Sequence, residues 1–213
     1  MFIISLKKSV WVTYLGIIFG VLSMSFAITN LAFADVNNIT YSLIFLILAG
    51  LCDLFDGKIA RMCKRTDEEK AYGIQIDSLA DTVNFVVLPV VIMLSLGMTA
   101  PIDVAVFALY IICGIARLAV FNCNANLDEP VKFYTGLPVT SVAVIYPILG
   151  ILYSVIPNNV YEIVSVIITF IVAVLFVSKI KVPKFKKKAF IVWPIIAIIV
   201  SVLLVVVKRC TMI

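Results

Sequence analysis

Two pairs of aspartates stand in otherwise apolar stretches of this chain: Asp53 and Asp56, three residues apart, and Asp77 and Asp81, four apart. On a helix, both spacings put the two side chains on one face, about a turn apart. Ionisable groups among apolar residues at membrane depth are costly, and they line bundle interiors or functional pathways. Two helices joined by a short connection can aim all four carboxylates at one space. Charges that close repel and require compensating cations. Oxygen-only donors suit Mg²⁺, Mn²⁺ or Ca²⁺ and exclude a soft-metal site. Four carboxylates match a centre of two divalent ions, ~3.5–4 Å apart, that clamps a phosphoryl group. Gly57 follows Asp56, and Gly73 lies one turn before Asp77, so a ligand or backbone can approach closely at either. Arg61 can reach a phosphate from just past Asp56. Taken singly, Gly57 and Arg61 read as a packing glycine and a snorkelling arginine.

Histidine is absent, which removes imidazole metal sites and every triad built on histidine. The cysteines Cys52, Cys63, Cys113, Cys123 and Cys210 form no C-x-x-C and read as buried hydrophobes.

The elements that carry these acids are membrane spans. Of 213 residues, 63% are hydrophobic and 14% charged, outside the range of soluble domains. The expected class is all-α: a polytopic transmembrane helical bundle. Seven apolar stretches cover about 10–33, 39–60, 74–98, 101–122, 136–156, 159–178 and 189–207, each near the ~20 residues a spanning helix needs. One integral membrane domain, 1–213, is expected. Its six-helix core runs over about 10–178, followed by a basic loop, 179–188, and an extra span, 189–207. That last span either packs at the edge of the core or mediates dimer contacts.

Fifteen of seventeen Lys and Arg residues fall at one end of these spans, with only Lys208 and Arg209 opposite. The positive-inside rule makes the basic end, and with it the acid cluster, cytoplasmic. The net charge of +5 is therefore topology and lipid-headgroup contact, not a nucleic-acid footprint. The first apolar run ends in Ala32-Phe33-Ala34, like a signal cleavage site, but it exceeds the 7–15 residues of a signal core and reads as a retained helix. Asp67–Lys70 reads as a solvated loop. Tyr134, Tyr146, Tyr153 and Tyr161, with Trp11 and Trp193, read as an interfacial belt. Ser78 reads as structural.

The segment Asp53-x-x-Asp56-Gly57-x-x-Ala60-Arg61, followed by Gly73-x-x-x-Asp77-x-x-x-Asp81, resembles the full motif of the CDP-alcohol phosphatidyltransferases, with all eight positions present. The connecting residues 62–72 look slightly longer than in many members. The resemblance implies a membrane enzyme that displaces CMP from a CDP-linked lipid with the hydroxyl of a small alcohol. It implies that Asp53, Asp56 and Asp77 ligate metal, and that Asp81 combines metal binding with general-base duty. It assigns Thr13, Gly57, Ala60, Arg61 and Gly73 to the CDP-lipid, with two divalent ions, Mg²⁺ or Mn²⁺, as cofactors. Dimers are common in the family, so a homodimer is implied.

The downstream half is similar to the serine-using branch, the phosphatidylserine synthases. The similarity lies in Cys113–Asn122, Thr135-Gly136-Leu137-Pro138 and Leu175–Lys186. The substrates implied are CDP-diacylglycerol and L-serine, with Arg117, Asn122, Lys132 and Thr135 at the serine. Arg117 and Lys132 can hold a carboxylate, although cytoplasmic cations are also expected from topology alone. The alternatives are the same chemistry on glycerol 3-phosphate or inositol phosphate, an archaeal ether CDP-lipid, and a divalent-cation transporter. A transporter needs polar groups along a route through the membrane, and spans two and three are nearly all apolar beyond the acids.

Overall fold

The computed structural model describes residues 10–33, 36–125, 133–183 and 189–211. Its helices are α1 (Trp11–Phe33), α2 (Val36–Met62), α3 (Asp67–Asp81), α4 (Leu88–Ser95), α5 (Pro101–Ala125), α6 (Val142–Tyr153), α7 (Asn158–Val177) and α8 (Ala189–Thr211). A π-helical segment, Thr82–Val87, joins α3 to α4, so Asp67–Ser95 is one continuous rod. The result is an all-α bundle of rods at the expected places. Among the described residues, four are by themselves long and apolar enough to cross a membrane: Trp11–Ala32, Asp67–Ser95, Pro101–Cys123 and Asn158–Val177. Val139–Tyr153 and Val192–Val207 are shorter apolar helices. Large apolar side chains such as Ile112, Ile163 and Ile198 are exposed on the outside. Such a surface suits hydrocarbon, and the chain is an integral membrane protein.

α3 begins earlier than expected. Thr66 and Glu69 form a capping box: the Thr66 hydroxyl accepts from the Glu69 N–H, and Glu69 Oε2 accepts from the Thr66 N–H, both at 3.3 Å. Asp67–Lys70 is therefore the first turn of a helix, not a loop. Its acids also suit the positive end of the helix dipole.

The π segment has a visible cause. Pro89 has no N–H to give the Phe85 carbonyl four residues back, so the α ladder cannot continue unbroken. The buried Tyr110 hydroxyl of α5 donates to that carbonyl at 2.7 Å. Thr82 Oγ1 donates to the Ser78 carbonyl at 2.8 Å, a bond that bends helices.

The interfacial reading fails for two tyrosines. Tyr146 and Tyr161 are buried, because each hydroxyl finds a partner inside: Thr169 Oγ1 at 3.2 Å for Tyr146 and Met93 Sδ at 3.8 Å for Tyr161. Tyr153 is half-buried with its ring 5.0 Å from that of Tyr161. Trp11 is exposed and Trp193 half-buried, while the Tyr134 side chain lies outside the described residues.

A two-stranded antiparallel ladder was not expected. β1 (Phe133–Thr135) pairs with β2 (Lys181–Pro183), tying the segment before α6 to the chain leaving α7. The Gly136 N–H continues it to the Ile180 carbonyl at 2.9 Å, and the Leu137 N–H bonds the Leu175 carbonyl at 3.0 Å. α8 packs against α2 and α6, with Ala197, Val200 and Leu204 turned inward. Cys52, Cys63, Cys113 and Cys123 are free thiols.

Candidate active site

The four aspartates meet where α1, α2 and α3 converge. One carboxylate oxygen each from Asp53, Asp56 and Asp77 lies within 4.8 Å of the others. Oxygens on opposite sides of one ion, at bond lengths of about 2.0–2.6 Å, stand ~4–5 Å apart, so three such ligands fit one divalent cation. Asp81 joins from the next turn of α3. The Asp53 and Asp81 carboxyls are within hydrogen-bond reach, as are those of Asp56 and Asp77. Each pair bridges α2 to α3. The helical spacing read from the sequence therefore produces one cluster.

The recess around these acids is lined by Thr13 and Gly16 of α1, by Ala49, Cys52, Asp53 and Asp56 of α2, and by Asp77, Ala80, Asp81, Asn84 and Phe85. It is narrow and opens to solvent. Its interior has room for about one water, so as it stands it is too tight for a nucleotide and its lipid. Gly16, Ala49 and Ala80 keep the lining thin. Thr13 Oγ1 donates to Asp56 Oδ2 at 3.0 Å, so α1 orients an acid of α2. Near the same end, the hydroxyls of Tyr14 and Tyr72 meet at 3.0 Å and tie α1 to α3.

The other expected site residues scatter more widely. Gly57 and Ala60 are half-buried on α2, outside the recess lining. Arg61 is on α2, but its side chain lies outside the described residues. Gly73 sits one turn before Asp77, and a methyl group there would come within 3.3 Å of Arg65 Nη1, so Arg65 lies across it. Arg117 is half-buried on α5, its guanidinium 5.8 Å from the Phe121 ring centre. Asn122 Oδ1 accepts from the buried Ser78 hydroxyl at 2.7 Å, joining α5 to α3 beside Asp77. Thr135 is in β1 with its side chain outside the described residues, and Lys132 lies outside them altogether.

Sequence reading missed Gly16, Asn84 and Arg65. Asn84 had a signal: it follows Asp77 at i+7 and Asp81 at i+3, on the same helical face.

The sequence pattern of the CDP-alcohol phosphatidyltransferases matches residues 9–177, most of the chain and all of the acid cluster. The chain belongs to the CDP-alcohol phosphatidyltransferase family. Curated relatives carry the name CDP-diacylglycerol–serine O-phosphatidyltransferase. The one from Saccharomyces cerevisiae is 36% identical over 118 residues, 52% of this chain and 41% of the relative. That from Helicobacter pylori is 36% identical over 153 residues, 67% of this chain and 61% of the relative. That from Bacillus subtilis is 32% identical over 155 residues, 72% of this chain and 80% of the relative. The chain thus spans less than two thirds of the length of the first two and four fifths of the third. Family members generally depend on divalent metal, and the oxygen-only cluster of this chain is a donor set that fits one.

Proposed function

We propose that this chain transfers the phosphatidyl group of CDP-diacylglycerol to the hydroxyl of L-serine, giving phosphatidylserine and CMP. The observation that carries the reading is the convergence of Asp53, Asp56, Asp77 and Asp81 on one recess, in a chain whose relatives bear that activity in their names. Asp53, Asp56 and Asp77 hold the metal, with Asp81 shared, and the full set holds two ions, Mg²⁺ or Mn²⁺. Divalent ions held by these carboxylates would neutralise the diphosphate and the charge that develops on the leaving CMP. Asp81 takes the serine hydroxyl proton as a new O–P bond forms to the lipid-linked phosphorus. The bond from that phosphorus to the oxygen of CMP breaks, and CMP leaves with its electron pair. Thr13 holds Asp56 in position. Arg117 and Lys132 bind the serine carboxylate, with Asn122 and Thr135 beside them, and Gly57, Ala60, Arg61 and Gly73 receive the CDP-lipid. The basic end faces the cytoplasm of the cytoplasmic membrane, and the chain works as a homodimer.

The test is CMP release by the purified chain in detergent with CDP-diacylglycerol and Mg²⁺ or Mn²⁺. Serine, glycerol 3-phosphate, inositol and inositol phosphate are compared in parallel. Metal-dependent release with serine alone is expected. Release with another alcohol in place of serine overturns the substrate assignment and keeps the phosphoryl chemistry. Release with none, from folded protein, overturns the activity.

A further inference from the structure

Asn84 is a polar side chain in an expensive place. It is 3% exposed, sits in the π segment and lines the carboxylate recess. Its amide lies along α1. A methyl group built on Gly20 would overlap Asn84 Oδ1, and one built on Gly16 would stand 3.8 Å from Asn84 Nδ2. Gly16 lines the recess and Gly20 does not. The oxygen end is therefore the one seated on Gly20, while the NH₂ end stands 3.7 Å from a methyl there and 3.8 Å from one on Gly16, the glycine that lines the recess.

The common explanation for a buried asparagine between helices is an interhelical hydrogen bond that joins them. Here, among the described residues, the Oδ1 is buried without a hydrogen-bond partner. An amide placed only for packing has no reason to leave its acceptor unsatisfied, since that costs free energy. Donors are also scarce among the described lining side chains. Four are carboxylates, Thr13 already gives its proton to Asp56, and the Cys52 thiol is a weak donor. A phosphoryl group entering this recess brings oxygens that need donors as well as cations.

We infer that Asn84 is a ligand-binding residue of the site, its Nδ2 donating to a phosphoryl oxygen of the CDP-linked substrate. Gly20 sets the direction of the amide. The inference rests on the phosphoryl-transfer reading but not on the choice of alcohol.

The experiment uses the full chain in detergent and two probes. One is CDP with Mn²⁺ and no alcohol, with affinity read from protection against thermal unfolding. The other is CMP release from CDP-diacylglycerol with whichever alcohol the wild type uses. Asn84→Leu keeps the bulk and removes the donor. It is expected to weaken CDP binding about 10-fold and to lower kcat about 10- to 100-fold, the range for a hydrogen bond to a charged group. Melting without ligand should hold or rise, because an unsatisfied buried amide oxygen is gone. Gly20→Ala leaves Asn84 in place but drives its oxygen off its seat, and should reproduce much of the loss. In an Asn84→Ala background, Gly20→Ala should cost nothing further. Wild-type CDP affinity and kcat in Asn84→Leu would overturn the inference. So would losses from Gly20→Ala and Asn84→Ala that simply add. Should serine prove the wrong alcohol, the CDP arm still decides the role of Asn84.

Discussion

The Thr13 hydroxyl reaches across 43 positions of sequence to donate to Asp56 Oδ2 at 3.0 Å. Asp56 is the most buried acid of the cluster. Its orientation thus depends on a helix that carries no acid in its span. Partners that orient a metal-binding carboxylate typically matter 10- to 100-fold to affinity or activity. Thr13→Val should raise the Mn²⁺ concentration for half-maximal CMP release by about 10-fold, and Thr13→Ser should restore most of it. A metal titration of both variants checks this.

Asp56→Asn and Asp81→Asn should each reduce CMP release to background while far-UV circular dichroism keeps the helical signal. Each removes a charge from a cluster that repels itself, so neither should unfold the bundle. Chelation by EDTA should silence the wild type, with activity returning on added Mg²⁺ or Mn²⁺. Near-normal turnover in either variant would remove that residue from the proposed chemistry.

Tyr110→Phe deletes one hydroxyl and leaves the Phe85 carbonyl buried without its donor. The cost is about 1–3 kcal/mol, read as a lower melting temperature in detergent. The loosened π segment also carries Asn84, so CDP affinity should fall with stability. A variant as stable as wild type would mean that another group satisfies Phe85.

Gly136 has φ +80, and a methyl group there would stand 2.5 Å from the Phe176 carbonyl oxygen. Both backbone strain and overlap oppose a side chain. Gly136→Ala should destabilise the chain by about 1–3 kcal/mol, whereas Gly97→Ala, with a positive φ but open space around it, should cost less. Thermal unfolding of the two variants side by side separates the contributions.

Arg117→Ala should raise the serine KM about ten-fold, as for a lost charged hydrogen bond, with little effect on CDP binding. Steady-state kinetics over a serine series checks it. An unchanged KM would leave Arg117 as a cation placed by topology.

Much of the site was legible before folding because it follows helical periodicity. Asp53 with Asp56, and Asp77 with Asp81, needed only the pitch of a helix and the cost of charge among apolar residues. The capping box at Thr66 and Glu69 was equally local, and reading Asp67–Lys70 as a loop overlooked it. Tyr146 and Tyr161 went astray for a different reason. An amphipathic ring suits an interface, but it also suits a core that offers its hydroxyl a partner, and Thr169 and Met93 do so from distant parts of the chain.

By itself the sequence determined the helical class, the approximate spans, the end of the bundle that carries the charge and the two acid pairs. Each depends on composition or on residues a turn apart. Only the tertiary structure decided that Thr13 holds Asp56, that Ser78 joins Asn122, that Tyr110 completes the break left by Pro89, and that Gly16 and Gly20 seat the Asn84 amide. Those relationships depend on which helix faces pack together and how closely. Side-chain volumes on several helices at once set that packing, so no single stretch of sequence contains it.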